Sequence, residues 1–165
     1  MPLIAGDDRE GIHMKSNILG TKLITQIGIL VHDIEKTSQA YAQFFGVEKP
    51  QCTITDEVDK AQTQYRGQPS DARAKLAFFD MGSLQLELIE PDHNPSTWRE
   101  SLNKNGEGPH HIAFIIKGMK EKIVVLERDG MPLLQKGEYS GGRYAYIDTL
   151  RDLKVIIELL ENEDQ

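Results

Sequence analysis

At 165 residues, 39% hydrophobic and 27% charged, the chain has the make-up of one compact folded domain, or of two small halves sharing a core. Its formal charge of −7 speaks against nucleic acid, whose phosphates need a basic patch, and neither a membrane-length apolar run nor a secretory h-region is present. A single cysteine, Cys52, excludes an internal disulfide framework; it reads as a small buried hydrophobe in a reducing cytoplasm.

Residues 1–22 show no sustained periodicity, and His13-Met14 reads as a junction left by cloning, so this stretch is set aside as tag-like or flexible. Leu23 to Val31 is rich in β-branched residues and predicts a strand. Asp33 follows as a helix N-cap, with Ile34, Tyr41 and Phe45 near helical spacing and Gly46 as the stop. A short strand is expected within Pro50 to Val58, then a long loop from Asp59 to Asp71, polar and broken by Gly67 and Pro69. Ala72 to Met81 and Leu84 to Ile89 predict a hairpin around Gly82-Ser83. Asn94-Pro95 predicts a helix start, with Trp98 and Leu102 as packing residues and Gly106 near the end.

The second half repeats the order of the first. Gly108-Pro109-His110-His111-Ile112-Ala113-Phe114-Ile115-Ile116 is a strand with a histidine pair at its mouth, and alternation sets His111, Ala113 and Ile115 opposite Ile112, Phe114 and Ile116. A helix is predicted from Met119 to Asp129, then strands over Leu133 to Tyr139, Arg143 to Ile147 and Val155 to Leu160. Each half reads strand, helix, three strands, which is an internal duplication. The expected divisions are a first module over 23–91, a connecting helix and loop over 92–109, a second module over 110–161 and a tail over 162–165.

Laid over each other, the copies align Gln26-Ile27-Gly28-Ile29 with His111-Ile112-Ala113-Phe114, and Leu86-Glu87-Leu88 with Ile157-Glu158-Leu159. Taken singly, each polar residue has an ordinary reading: Gln26 as a solvated edge residue, Glu87 as the polar face of a strand, Glu158 as the exposed side of a terminal strand, His111 as a hydrogen-bonded core histidine. Together they interrupt apolar strands at matching places in both copies. A carboxylate inside Val155-Ile156-Ile157-Glu158-Leu159-Leu160 is costly to bury without a partner, and nearby basic residues are few. A divalent cation held by Gln26, Glu87, His111 and Glu158 resolves all four.

The phrases from Gln26 to Lys36, Leu86 to Pro91, Pro109 to Phe114 and Val155 to Leu159 resemble the vicinal oxygen chelate superfamily over nearly everything from Leu23 to Glu161. Within it the chain is most similar to methylmalonyl-CoA epimerases and glyoxalase I-like proteins. The resemblance implies an α+β fold of two tandem βαβββ modules, their curved mixed sheets surrounding a metal-binding cavity, with ligands falling on Gln26, Glu87, His111 and Glu158. The epimerases usually have histidine where this sequence has Gln26; the eukaryotic type of lactoylglutathione lyase uses glutamine there, so the departure leaves the metal site intact and bears on substrate.

A site of one nitrogen and three oxygens suits Zn²⁺, Co²⁺, Ni²⁺ or Mn²⁺. Such an ion, chelated by two neighbouring substrate oxygens, draws charge onto a carbonyl while a carboxylate takes the proton from the adjacent carbon. Glu158 is the first candidate base, with Glu87 opposite it and Asp71 as a weaker one. Arg73, Arg143 and Tyr144 are expected to hold the tail of a thioester. The leading expectation is a cytoplasmic, homodimeric, metal-dependent epimerase acting on a CoA thioester. The alternatives are a lyase acting on a hemithioacetal and a non-enzymatic small-molecule-binding relative.

Overall fold

The structure, a computed structural model, describes residues 17–164. The expectations for residues 1–16, the His13-Met14 junction included, lie outside the described residues. Among the described residues no helix is long and apolar enough to cross a membrane.

The first half runs β1 (Gln26–Leu30), α1 (Ile34–Phe45), β2 (Thr53–Ile54), α2 (Val58–Ala61), β3 (Gln64–Tyr65), β4 (Gln68–Pro69), β5 (Ala74–Asp80) and β6 (Gln85–Pro91). After α3 (Thr97–Asn105) come β7 (Gly108–Ile115), α4 (Met119–Arg128), β8 (Leu133–Tyr139), β9 (Gly142–Ile147), α5 (Leu150–Leu153) and β10 (Ile156–Asn162). All ten strands form one curled sheet in the order β2-β5-β6-β1-β7-β10-β9-β8-β3-β4.

The eight strands from the β2 edge to β8 read as two mirrored sets, β2-β5-β6-β1 and β7-β10-β9-β8, so the α+β architecture of two βαβββ modules holds. The modules meet where β1 pairs antiparallel with β7, whereas each opening strand pairs parallel with the last strand of its own module, β1 with β6 and β7 with β10. A parallel partner requires a crossover connection, and α1 and α4 supply the helices of those crossovers. Each helix lies on the outer face over an apolar cluster. Ile34 and Ala42 pack with Ala77, Leu86 and Leu88; Met119 and Leu126 pack with Phe114, Ile147, Ile157 and Leu159. Asp33 caps α1 by accepting from the Lys36 N–H at 3.0 Å, and Gly46 closes it in the left-handed conformation.

Three local expectations are corrected. The stretch 59–71 is not a structureless loop: β3 and β4 form a small hairpin turned by Arg66 and Gly67, both at positive φ, and β3 adds to the edge of β8. The N-cap of α3 is Ser96, whose hydroxyl accepts from the Arg99 N–H at 2.9 Å, rather than Asn94. The strand expected from Leu23 begins at Gln26.

Candidate metal centre

Gln26, Glu87, His111 and Glu158 come together on the concave face, astride the seam between the modules. The register explains how. Gly28 pairs with Glu87 on one side and His111 on the other, while Ala113 pairs with Gln26 and Glu158. Two small residues therefore alternate with four long polar ones on a single face, since residues two apart in a strand point the same way. Leu86, Leu88, Ile157 and Leu159 fill the opposite face against the helices. Gly28 is required sterically: a Cβ there would lie 2.7 Å from Nε2 of His111, so only glycine lets that ring lie across β1.

His111 is fully buried, and Gln26, Glu87 and Glu158 are nearly so. Its Nε2 lies 2.9 Å from Gln26 Oε1, 3.0 Å from Glu158 Oε2 and 3.3 Å from Glu87 Oε2. Gln26 Nε2 donates to Gln85 Oε1 at 2.7 Å, which aims its oxygen at the cluster. Turned over, the same amide would donate to Glu158 and Glu87 at 2.9 and 3.0 Å. It thus presents oxygen to a cation, or nitrogen to the two carboxylates and to Nε2 of His111, 2.9 Å away.

Burial disfavours the charged form of His111, but Glu158 and Glu87 outweigh it and push its pKa up to about 10. Burial raises the Glu87 carboxyl above its ordinary range despite the opposing pull of His111. His110 is held well below the usual imidazole value by burial and by the neighbouring His111.

Two buried carboxyl groups face a single imidazole, so the cluster carries an excess of negative charge whenever both are ionised. One ligand atom each from Glu87, His111 and Glu158 falls within 4.8 Å of the others. Three oxygens and one nitrogen in that arrangement fit a divalent cation, which would neutralise both carboxylates. All four side chains belong to one chain.

A cavity of about 650 Å³ opens onto the cluster, walled by Leu76, Phe78, Trp98, Ile115, Tyr144, Tyr146 and Leu160 among others. Trp98 Nε1 donates to the Tyr146 hydroxyl at 3.0 Å, and Gln135 Nε2 donates to the Tyr144 hydroxyl at 3.0 Å. Burial raises the pKa of both phenols, which stay protonated.

Of the six residues expected to hold or attack a substrate, Glu87, Glu158 and Tyr144 line this cavity, and Asp71, Arg73 and Arg143 do not. Arg143 precedes Tyr144 in β9, so alternation sends it to the outer face, where its Nη1 lies 3.5 Å from Glu161 Oε1. Arg73 is not part of the lining; its Nε donates at 2.8 Å to the carbonyl of Thr55, which is. Asp71 is exposed before β5, its carbonyl accepting from Asn94, outside the cavity lining. Among the described residues lining the cavity none is Lys or Arg. Sequence reasoning missed Gly28 and Gln85, and left His110 unassigned.

A family model for the glyoxalase/bleomycin resistance protein/dioxygenase superfamily matches residues 25–147. The chain belongs to that superfamily, also called the vicinal oxygen chelate superfamily. The chain is 33% identical over 94 residues to the uncharacterized protein YqjC of Bacillus subtilis, covering 55% of this chain and 67% of that protein. Its fold is shared with the hypothetical protein BH1468 of Bacillus halodurans (23% identity, 86% of this chain and 95% of that one, TM-score 0.58). It is shared equally with a Streptomyces coelicolor methylmalonyl-CoA epimerase variant in complex with 2-nitronate-propionyl-CoA (22% identity, 87% and 99%, TM-score 0.58). The Mycobacterium tuberculosis methylmalonyl-CoA epimerase is a further likeness (21% identity, 93% and 95%, TM-score 0.57).

Proposed function

We propose that this chain is a metal-dependent epimerase or isomerase that moves a proton on the carbon beside a carbonyl, with an acyl-CoA thioester as its substrate class. The observation that carries the reading is the convergence of Gln26, Glu87, His111 and Glu158 from both modules onto one buried point beside a cavity. The complexes of similarly folded epimerases with CoA thioesters support the substrate class.

Gln26, Glu87, His111 and Glu158 would hold one divalent ion, with Zn²⁺, Co²⁺, Ni²⁺ and Mn²⁺ all suited to the donor set. When bound, that ion supplies Lewis acidity, lowering the energy of negative charge on a substrate oxygen. Glu158 takes the proton from carbon and Glu87 stands opposite to return one. Leu76, Phe78 and Leu160 keep water from the reacting carbon, and the Tyr146 hydroxyl is fixed by Trp98.

Solvent-deuterium exchange into (2R)- and (2S)-methylmalonyl-CoA with each of the four metals tests the reading, run beside a methylglyoxal–glutathione assay. Exchange at C2, abolished by chelator and by Glu158→Gln, is the expected result. No exchange with any metal overturns it. Gln26 favours one second reading, a lyase acting on a hemithioacetal, because the eukaryotic enzymes of that type carry glutamine at the matching position. Turnover in the methylglyoxal–glutathione assay alone would select it.

A further inference from the structure

We infer that His110, backed by Thr97, is a positioning residue that sets the tautomer of His111 and so keeps the Nε2 lone pair of His111 facing Glu87 and Glu158. The inference rests on the reading that those side chains hold a metal.

The backbone places His110 where regular alternation would not. Gly28 pairs with His111 but the next residue, Ile29, pairs with Pro109, so His110 is the extra residue of a β-bulge. Bulges bend a strand and re-aim a side chain, and Pro109 has no N–H to lose from the ladder at that point. The result is two adjacent histidines, both buried, with rings at right angles and Nδ1 atoms 2.9 Å apart. On its far side His110 Nε2 lies 3.2 Å from Thr97 Oγ1.

Two facing ring nitrogens at that distance share one hydrogen, so each ring fixes the other. At 2.9 Å the two Nδ1 atoms cannot both carry a hydrogen, and the Thr97 hydroxyl faces the remaining nitrogen of His110. If the hydrogen of His110 is on Nε2 it is donated to Thr97, and Nδ1 of His110 accepts from Nδ1–H of His111. In the neutral ring that a metal requires, the Nε2 of His111 is then the lone pair among the oxygens of Gln26, Glu87 and Glu158. The opposite order would put the hydrogen of a neutral His111 on Nε2 and leave no lone pair there. Thr97 is the first residue of α3, and its own N–H donates to Gln135 Oε1 at 2.8 Å. Gln135 in turn donates to Tyr144, so the tautomer lock is tied to the cavity wall.

The test uses the full chain and the variants His110→Leu, His110→Asn, Thr97→Val and Thr97→Ser. Zn²⁺ affinity is measured against a competing chelator, and the protonated ring nitrogen of His111 is read from ¹⁵N histidine spectra of the zinc form. Loss of an outer-shell partner is expected to weaken Zn²⁺ binding by about 10–100-fold in His110→Leu and Thr97→Val. Asparagine and serine, which keep an acceptor at the needed place, are expected to restore it to within a few-fold. Wild-type His111 is expected to be protonated on Nδ1.

Unchanged affinity in the leucine and valine variants, or a hydrogen on Nε2 of wild-type His111 in the zinc form, overturns the inference. If His110→Leu does not fold, Thr97→Val, which exchanges a hydroxyl for a methyl, decides alone. A wild type that binds Zn²⁺ but turns over no thioester removes the proposed function and leaves this inference standing. One that binds no divalent ion removes both.

Discussion

Gly28 and His111 occupy one another's space, because the imidazole crosses β1 at the only point in that strand without a side chain. Gly28→Ala forces the ring or the strand to move, an overpacking that costs about 1–3 kcal/mol and displaces the ligand nitrogen. The expected outcome is a lower melting temperature together with at least tenfold weaker Zn²⁺ binding; a variant that binds like the wild type would show that the ring has room elsewhere. The glycine was visible in the sequence, within Ile27-Gly28-Ile29, as an interruption that alone says nothing of which ring lies above it. The four polar residues were legible for a different reason: each breaks an apolar strand at a matching place in two copies. His110 was not, since alternation predicts that it faces away from His111, although Pro109 within a strand is a signature of a bulge.

His111 makes a pH prediction for the metal-free protein. Its folded pKa of about 10 lies above the ordinary value of 6.5, so the folded state holds the proton more tightly than the unfolded chain does. That contribution is fully present below about pH 6.5 and is lost as pH rises through 10. In excess chelator the melting temperature is expected to fall between pH 7 and pH 10.5, and to fall less steeply in His111→Gln. Equal slopes would mean that the carboxylates do not hold the imidazolium.

At the level of strands and helices, most boundaries followed from periodicity and from Asp33, Gly46 and Gly106. The exceptions have long-range causes. The β3–β4 hairpin is polar and short, and it is held by β8, a partner some seventy residues away, including a bond from the Arg66 N–H to the Leu134 carbonyl at 2.8 Å. No local pattern reports such a partner. Naming both Arg143 and Tyr144 as substrate contacts overlooked that neighbours in a strand point apart. Arg143→Ala and Arg73→Ala are therefore expected to leave KM for a thioester within about twofold, a larger rise in either pointing to a route for the tail other than the cavity described. Within the cavity wall, Tyr146→Phe leaves the buried Trp98 N–H without an acceptor, which costs about 1–3 kcal/mol. Denaturant unfolding with unchanged m-value would read that loss; a variant as stable as wild type would show that the indole finds another partner.

For the molecule as a whole, the candidate centre is a clasp between modules, with Gln26 and Glu87 from one and His111 and Glu158 from the other. A ligand bound only by the folded state stabilises it by about 2.7 kcal/mol at a hundred times its Kd. Because both modules supply ligands, Zn²⁺ is expected to raise the melting temperature of a single cooperative transition in calorimetry. Two transitions, of which only one responds to the ion, would contradict a centre shared across the seam.

The near two-fold relation at the β1–β7 pairing carries an evolutionary consequence. One half-length ancestor, associating with a twin of itself across this edge, would already have offered four convergent positions around a common axis. The two copies differ at one of these positions, an amide at Gln26 standing where the other copy has the imidazole of His111.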